Sequence, residues 1–190
     1  MKKTTIGPMT LLYPKPTLLI GANIDGKPNF MTVAWAGIAN LKPHMLSISI
    51  RRERYTFQGI KENQTFSVNI PSEDFVTEAD YCGLVSGRKI DKVARCSFTI
   101  FYGKLKTAPL IEQCPVNLEC RLVKEMEFTT HILCIGEIEE VHVDDDCLTN
   151  GKPDVEKVRP LVFASGVEYA YFGLGKRLAR GFQVGKKLAD

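Results

Sequence analysis

The feature that most restricts the fold is a series of short stretches in which apolar and polar residues alternate with a period of two. Leu46, Ile48 and Ile50 fall on one side of such a stretch, and Ser47 and Ser49 on the other. Phe66, Val68 and Ile70 alternate in the same way with Thr65, Ser67 and Asn69. Successive side chains of a β-strand point to opposite faces, so each pattern predicts a strand with its apolar face in and its hydroxyls and amide out. Further strands are predicted over 17–22, 29–36, 97–101, 116–123, 130–136, 138–143 and 161–163. Asp25-Gly26 between the first two is a hairpin turn pair. Helical spacing is confined to short runs. One follows Thr56, where Phe57 and Ile60 share a face. Another follows Ser72, a candidate N-cap, where Phe75, Val76, Ala79 and Cys82 keep to one side and Gly83 is a natural end. Short strands in this number, two or three short helices and no βαβ rhythm predict an antiparallel barrel with small helices packed on it.

A chain of 190 residues, 44% hydrophobic and 25% charged, has ample material for a core. No repeat or composition break divides it, so one domain over 1–190 is expected. A net charge of +3 is too weak to imply nucleic acid unless it is clustered. No apolar run approaches the roughly 20 residues that span a bilayer. The basic start, Met1-Lys2-Lys3, is followed by no long apolar core, and a cytoplasmic protein is expected. The six cysteines form no Cys-x-x-Cys pair, and no histidine lies at metal-ligand spacing from one. Buried free thiols are therefore expected rather than a zinc or iron–sulfur site. The acidic residues Glu137, Glu139, Glu140 and Asp144 to Asp146 lack an EF-hand glycine pattern and read as a solvated edge. Leu174, Leu178 and Phe182 recur at four-residue spacing among Lys176, Arg177 and Arg180. That pattern predicts an amphipathic packing helix first, and a nucleotide- or membrane-facing surface second.

Nucleophile and metal motifs are missing from the sequence: there is no Gly-x-Ser-x-Gly elbow, no His-Glu-x-x-His helix and no Walker loop. Of the three histidines, His44 reads as a loop residue and His142, between Val141 and Val143, as solvent-facing. His131 opens a strand after Thr129-Thr130, either as an exposed strand-end imidazole or as a functional group. The predicted strand 46–50 runs into Arg51, Arg52 and Arg54 and then Thr56, just before a helix start. Guanidinium donors beside free helix N–H groups suit a phosphate; the alternative is a turn with solvated charges. Thr32-Val33-Ala34-Trp35 places consecutive backbone amides next to a large ring, and Ser86-Gly87-Arg88 to Lys92 adds a hydroxyl, a flexible backbone and cations. These three segments together suit a planar heterocycle at one end and a phosphate at the other.

On these segments the sequence resembles the flavin reductase-like, FMN-binding split-barrel family, and within it the flavoredoxin branch most of all. The resemblance runs from Pro16-Thr-Leu-Leu-Ile through Gly26-Lys-Pro-Asn-Phe-Met-Thr-Val-Ala-Trp, Ser49-Ile-Arg-Arg-Glu-Arg-Tyr-Thr and Phe66-Ser-Val-Asn-Ile-Pro to the most specific part, Gly83-Leu-Val-Ser-Gly-Arg-Lys-Ile-Asp-Lys92. It implies a mainly β, antiparallel Greek-key split barrel of about six strands with added helices. It also implies a homodimer that binds FMN near the subunit interface. Carried onto this chain, Thr32, Val33, Ala34 and Trp35 would line the isoalloxazine, and Ser49, Ile50 and Arg51 would follow the ribityl chain. Arg54, Tyr55 and Thr56 would meet the phosphate, and Ser86, Gly87 and Lys92 would close over the flavin. His131 would stand on the nicotinamide or N5 side, as a catalytic residue. Thr32 and the bulky Trp35 depart from the asparagine or serine that many relatives carry there, and the Arg51-Arg52 pair is more basic than usual. The implied activity passes electrons from NADH or NADPH through FMN to free flavin, ferric complexes or a protein partner. A flavoredoxin-type electron carrier without its own NAD(P)H site is the alternative. Neither a nucleic-acid nor a membrane partner is expected.

Overall fold

The computed structural model describes residues 1–189. The two-residue strand β1 (Lys15–Pro16) leads into β2 (Leu18–Ile24), which pairs with β3 (Lys27–Val33) across a tight hairpin. Asp25 and Gly26 there have φ of 50° and 75°, the pair of positive values that a type I′ turn demands. β4 (Ala36–Asn40) and β5 (Met45–Ile50) form a second hairpin, and α1 (Tyr55–Asn63) connects β5 to β6 (Thr65–Ile70). After β6 come α2 (Val76–Leu84), α3 (Lys92–Arg95) and the paired short strands β7 (Ile100–Phe101) and β8 (Leu110–Ile111). The long strands β9 (Val116–Glu127) and β10 (Ile132–Val143) then pair with each other through two register shifts. The strands predicted over 130–136 and 138–143 are thus one bulged strand. β11 (Leu148–Thr149) and β12 (Lys152–Pro153) make a small hairpin, and β13 (Val162–Ser165) lies between β1 and β14 (Tyr169–Phe172).

The principal sheet has seven strands rather than six, in the order β3-β2-β6-β9-β10-β5-β4, every pair antiparallel. Chain neighbours β5 and β6 are separated in it by β9 and β10, the crossing of a Greek key. The sheet curls over one core without closing, leaving β3 and β4 as its edges: an antiparallel split barrel. Leu46, Ile48, Ile50, Phe66 and Val68 meet inside it, as their alternation predicts. α1 adds Phe57 and Ile60 to the same core.

Three expectations are corrected. Thr65, Ser67 and Asn69 do not face water, because the segment before and including β8 covers that face of β6. Thr65 bonds the Thr107 hydroxyl at 2.6 Å, Ser67 donates to the Pro109 carbonyl, and Asn69 accepts the Ile111 N–H at 3.0 Å. Burial is tolerable because each polar group is paired. Ser72 gives its helix turn no side-chain cap, and α2 runs on through Gly83 to Leu84. The amphipathic helix of the tail does not form: Leu178 and Phe182 are 88% and 99% exposed, and no α-helix follows β14 among the described residues. Gly175 and Gly181 interrupt that run, each costing about 1 kcal/mol in a helix. All six cysteines are free, and all but Cys96 are buried.

Candidate functional site

β5 delivers the chain to a turn, closed by Arg54 N–H on the Arg51 carbonyl at 3.1 Å, and α1 begins at Tyr55. The N-terminus of α1 has no side-chain cap and no acidic residue in its first turn. Its free N–H groups and positive dipole end therefore face the space beside the turn. Thr56 is 1% exposed, and its hydroxyl oxygen accepts a bond from Asn29 Nδ2 at 2.7 Å. Its own proton remains free to donate. Asn29 comes from β3, so the hairpin fixes the rotamer of a helix residue across the site.

The opposite wall is the loop after α2. Ser86 and Gly87 approach so closely that a Cβ on Gly87 would overlap the Asn29 carboxamide and press on the Tyr55 ring. Only glycine fits. Lys92 is 4% exposed; its ammonium donates to the carbonyls of Phe30 and Cys82, each at 2.8 Å. Two of its three donors are thereby used, and the third is left for the pocket it lines. Burial pushes its pKa down, Cys82 works against that and Arg54 adds to it, so a nearby anion would stabilise its charge. Arg51, Arg54, Tyr55, Thr56, Ser86, Gly87 and Lys92 thus line one pocket of about 300 Å³, with Glu53 its single carboxylate. Arg54 also donates to the Gly83 carbonyl at 3.2 Å, tying turn to helix α2. The cations exceed the anions, and the pocket suits a small polyanion.

The remaining candidates gather around Trp35. Ala34, Trp35 and Ser49 line an apolar cavity of about 610 Å³ together with Leu133 and the N-terminal segment around Leu11 and Pro16. Ser49 N–H donates to the Trp35 carbonyl at 2.8 Å. The Trp35 indole stacks on the His131 imidazole, ring centroids 4.6 Å apart and planes 21° apart. His131 Nδ1 bonds the Thr130 hydroxyl at 2.8 Å, leaving Nε2 without a protein partner among the described residues. Three candidates place their side chains elsewhere. Thr32 donates its hydroxyl to the Ala79 carbonyl, while Val33 and Ile50 lie in the barrel core. What they offer a ligand is backbone only. β3 is an edge strand, so half of its N–H groups point away from β2. Arg52 is directed away from the cationic pocket to an exposed pair with Glu127 at 2.8 Å.

Asn29, Met31, Glu53 and Val85 belong to the site and were not among the candidates. Asn29 stands inside the quoted Gly26-to-Trp35 stretch, but only the fold shows that its amide reaches Thr56. His142 does not face solvent alone: its Nε2 meets Glu119 Oε1 at 2.8 Å, far from this pocket in the chain and on another element pair.

The sequence pattern described as Flavin reductase like domain matches residues 9–170. The chain belongs to that family. Among solved structures, a flavoredoxin from Methanosarcina acetivorans is 41% identical with a TM-score of 0.93, over 99% of this chain and 100% of that one. Flavoredoxin of Desulfovibrio vulgaris (Miyazaki F) is 39% identical with a TM-score of 0.90, over 97% and 100% of the two chains. An uncharacterized protein of Archaeoglobus fulgidus is 36% identical over 82% of this chain and 86% of its own length. In this chain the arrangement around α1 combines a positive helix end, guanidinium groups, a pre-aimed hydroxyl and a glycine-lined approach. Among the described residues no helix is long and apolar enough to cross a membrane, and no group of three His, Cys, Asp or Glu side chains is placed to hold a metal.

Proposed function

We propose that this protein is an FMN-binding oxidoreductase of the cytoplasm that takes electrons from NADH or NADPH and passes them to free flavin, ferric complexes or a protein acceptor. The observation that carries the reading is the cationic pocket at the N-terminus of α1. Two segments distant in sequence, 51–56 and 86–92, meet there around a volume suited to a phosphate monoester. Arg54 and Arg51 supply charge-assisted bonds, Thr56 a hydroxyl proton, and Tyr55 and Thr56 free helix N–H groups. The residues present fit FMN. When bound, FMN supplies hydride and single-electron chemistry at its ring, which needs no protein nucleophile. In this reading the backbone of 32–35 and Ser49 orient the ring, with Trp35 at its edge. His131 presents Nε2 beside the ring, its imidazole oriented by the bond between Nδ1 and the Thr130 hydroxyl.

We further propose a homodimer. The exposed apolar side chains of Leu12, Ile38 and Leu41 lie on the N-terminal segment and on and just after edge strand β4, where a second copy would cover them. Neither nucleic acid nor membrane has a role in this reading.

Anaerobic mixing of the FMN-loaded protein with NADH and with NADPH tests it. Loss of the oxidised-flavin absorbance within a catalytic time is expected. A flavin that stays oxidised until a reduced electron-transfer protein is added would instead establish the second reading, an FMN electron carrier. The similarity of about 40% to two flavoredoxins favours that second reading.

A further inference from the structure

The loop that walls the cationic pocket begins and ends on a cysteine. Cys82 lies on α2 just before Gly83, and Cys96 directly follows α3. Between them runs the whole segment that brings Ser86, Gly87 and Lys92 to the pocket. Both ends fold back onto one apolar cluster against β2 and β3, formed by Leu19, Phe30, Cys82 and Phe98 with Val93 and Cys96 packed on it. There the Cys82 and Cys96 thiols come within hydrogen-bonding contact of each other. A second set of bonds joins the same two ends. The Lys92 ammonium donates to the Cys82 carbonyl at 2.8 Å, and the Cys96 N–H donates to the Lys92 carbonyl at 3.0 Å. The lysine that lines the pocket therefore links the backbones of both cysteines, and the thiol contact closes the ring on its other side.

The two thiols are not equivalent. Cys82 is fully buried and Cys96 half-buried. Burial raises both, Cys82 to about 12, and the Lys92 cation draws both back down. Their mutual bond raises Cys82 and lowers Cys96. Cys82 thus keeps its proton and donates it, while Cys96 is the thiol that ionises first and the one a small oxidant reaches.

We propose that Cys82 and Cys96 are a reversible disulfide site, and that the bridge staples the intervening loop over the phosphate pocket. The oxidant is a peroxide, the product that reduced flavins give with dioxygen. The Cys96 thiolate attacks one peroxide oxygen to form a sulfenic acid, and the other oxygen leaves as water with the thiol proton. Cys82 then attacks the Cys96 sulfur. The S–S bond forms, the S–O bond breaks, and the hydroxyl leaves as water with the Cys82 proton. Two thiols and one peroxide become one disulfide and two waters, and a small dithiol reverses the change by exchange. A reversible pair rather than a permanent bridge is what a reducing compartment allows. The effect on FMN rests on the reading that its phosphate occupies this pocket; formation of the bridge does not.

FMN-loaded protein is treated with hydrogen peroxide or with a dithiol, and its thiols are then counted in urea. All six are expected after the dithiol and two fewer after peroxide, with Cys82 joined to Cys96 in the peptide map. Release of FMN on dilution, followed by the return of flavin fluorescence, is expected to slow about fivefold or more in the oxidised protein, a part of what constraining a loop of about 15 residues can supply. Dithiol restores the faster release. Cys96→Ser, at the half-buried position, is expected to release FMN at the rate of the reduced wild type with or without peroxide. The wild-type comparison decides by itself if that variant does not fold. An undiminished thiol count, a bridge that recruits Cys114 instead, or oxidised protein that releases FMN as fast as reduced protein overturns the proposal. A Cys82–Cys96 bridge in a protein that FMN does not load would remove FMN from the pocket and leave the disulfide site standing.

Discussion

At the scale of single residues, the site depends on contacts that aim a group more than on the group itself. Thr56 would be an ordinary helix residue were its oxygen not held by Asn29 at 2.7 Å. Replacing Thr56 by alanine is expected to weaken FMN by about 1–2 kcal/mol, one hydrogen bond, and Arg54→Ala by ~1.5–3 kcal/mol, one charge-assisted bond. Titration of apoprotein by flavin fluorescence quenching measures both, and wild-type affinity in the two variants would remove the phosphate from this pocket. Gly87→Ala acts by shape. The added methyl displaces Asn29, so it should lower FMN affinity and cost about 1–3 kcal/mol of stability through overpacking, read from urea unfolding. Residue types here were open to the sequence: the arginines, Thr56, Ser86 and Gly87 stand in the motifs that carry the family resemblance. Their partners were not. Nothing in the spacing of Asn29 and Thr56, 27 residues apart, says that they touch.

At the scale of elements, the covering of one face of the barrel depends on a buried carboxylate. Glu119 on β9 is fully buried; it accepts the N–H of Lys104 at 2.9 Å, the N–H of Leu105, and a bond from His142 Nε2 at 2.8 Å. Burial alone would raise its pKa. The bonds from His142, Leu105 and Lys104 outweigh burial and hold it below the ordinary value of 4.5. A depressed carboxyl contributes stability that is present above its unfolded pKa and lost as pH falls through the lower folded one. Urea midpoints are therefore expected to be steady above about pH 5 and to fall below about 4.5, as Glu119 and its segment let go together. In Glu119→Gln that acid-side slope should shrink, and an unchanged slope would assign it to other carboxylates. The alternation of β6 correctly placed Phe66 and Val68 inside, but it could not show that Thr65, Ser67 and Asn69 are covered. A period of two distinguishes two faces of a strand; it carries no information about what a segment 40 residues later lays over the polar one. The tail is the converse case. Four-residue spacing of Leu174, Leu178 and Phe182 resembles a helix face, while Gly175 and Gly181 in the same stretch disfavour it.

At the scale of the whole molecule, the split in the barrel and the exposed side chains of Leu12, Ile38 and Leu41 are arguments for assembly. Light scattering on the FMN-loaded protein is expected to give twice the chain mass, and Ile38→Glu with Leu41→Glu to shift it toward the monomer by burying charge without a partner. A monomeric wild type would leave those side chains without a role in self-association.

The sequence by itself determined the strand periods, the Asp25-Gly26 turn, the free cysteines' preference for the interior and the lack of a nucleophile or metal motif. These are local properties, written in the side chains of neighbouring residues. It also carried the family resemblance, because Arg54, Thr56, Ser86, Gly87 and Lys92 keep their order along the chain. Only the tertiary structure decided which of these face one another. The Greek-key crossing brings β3, the start of α1 and the loop after α2 to one place, Lys92 inward to two carbonyls, and Arg52 outward to Glu127. Such convergence arises from pairing between strands distant in sequence, and a local pattern contains no term for it.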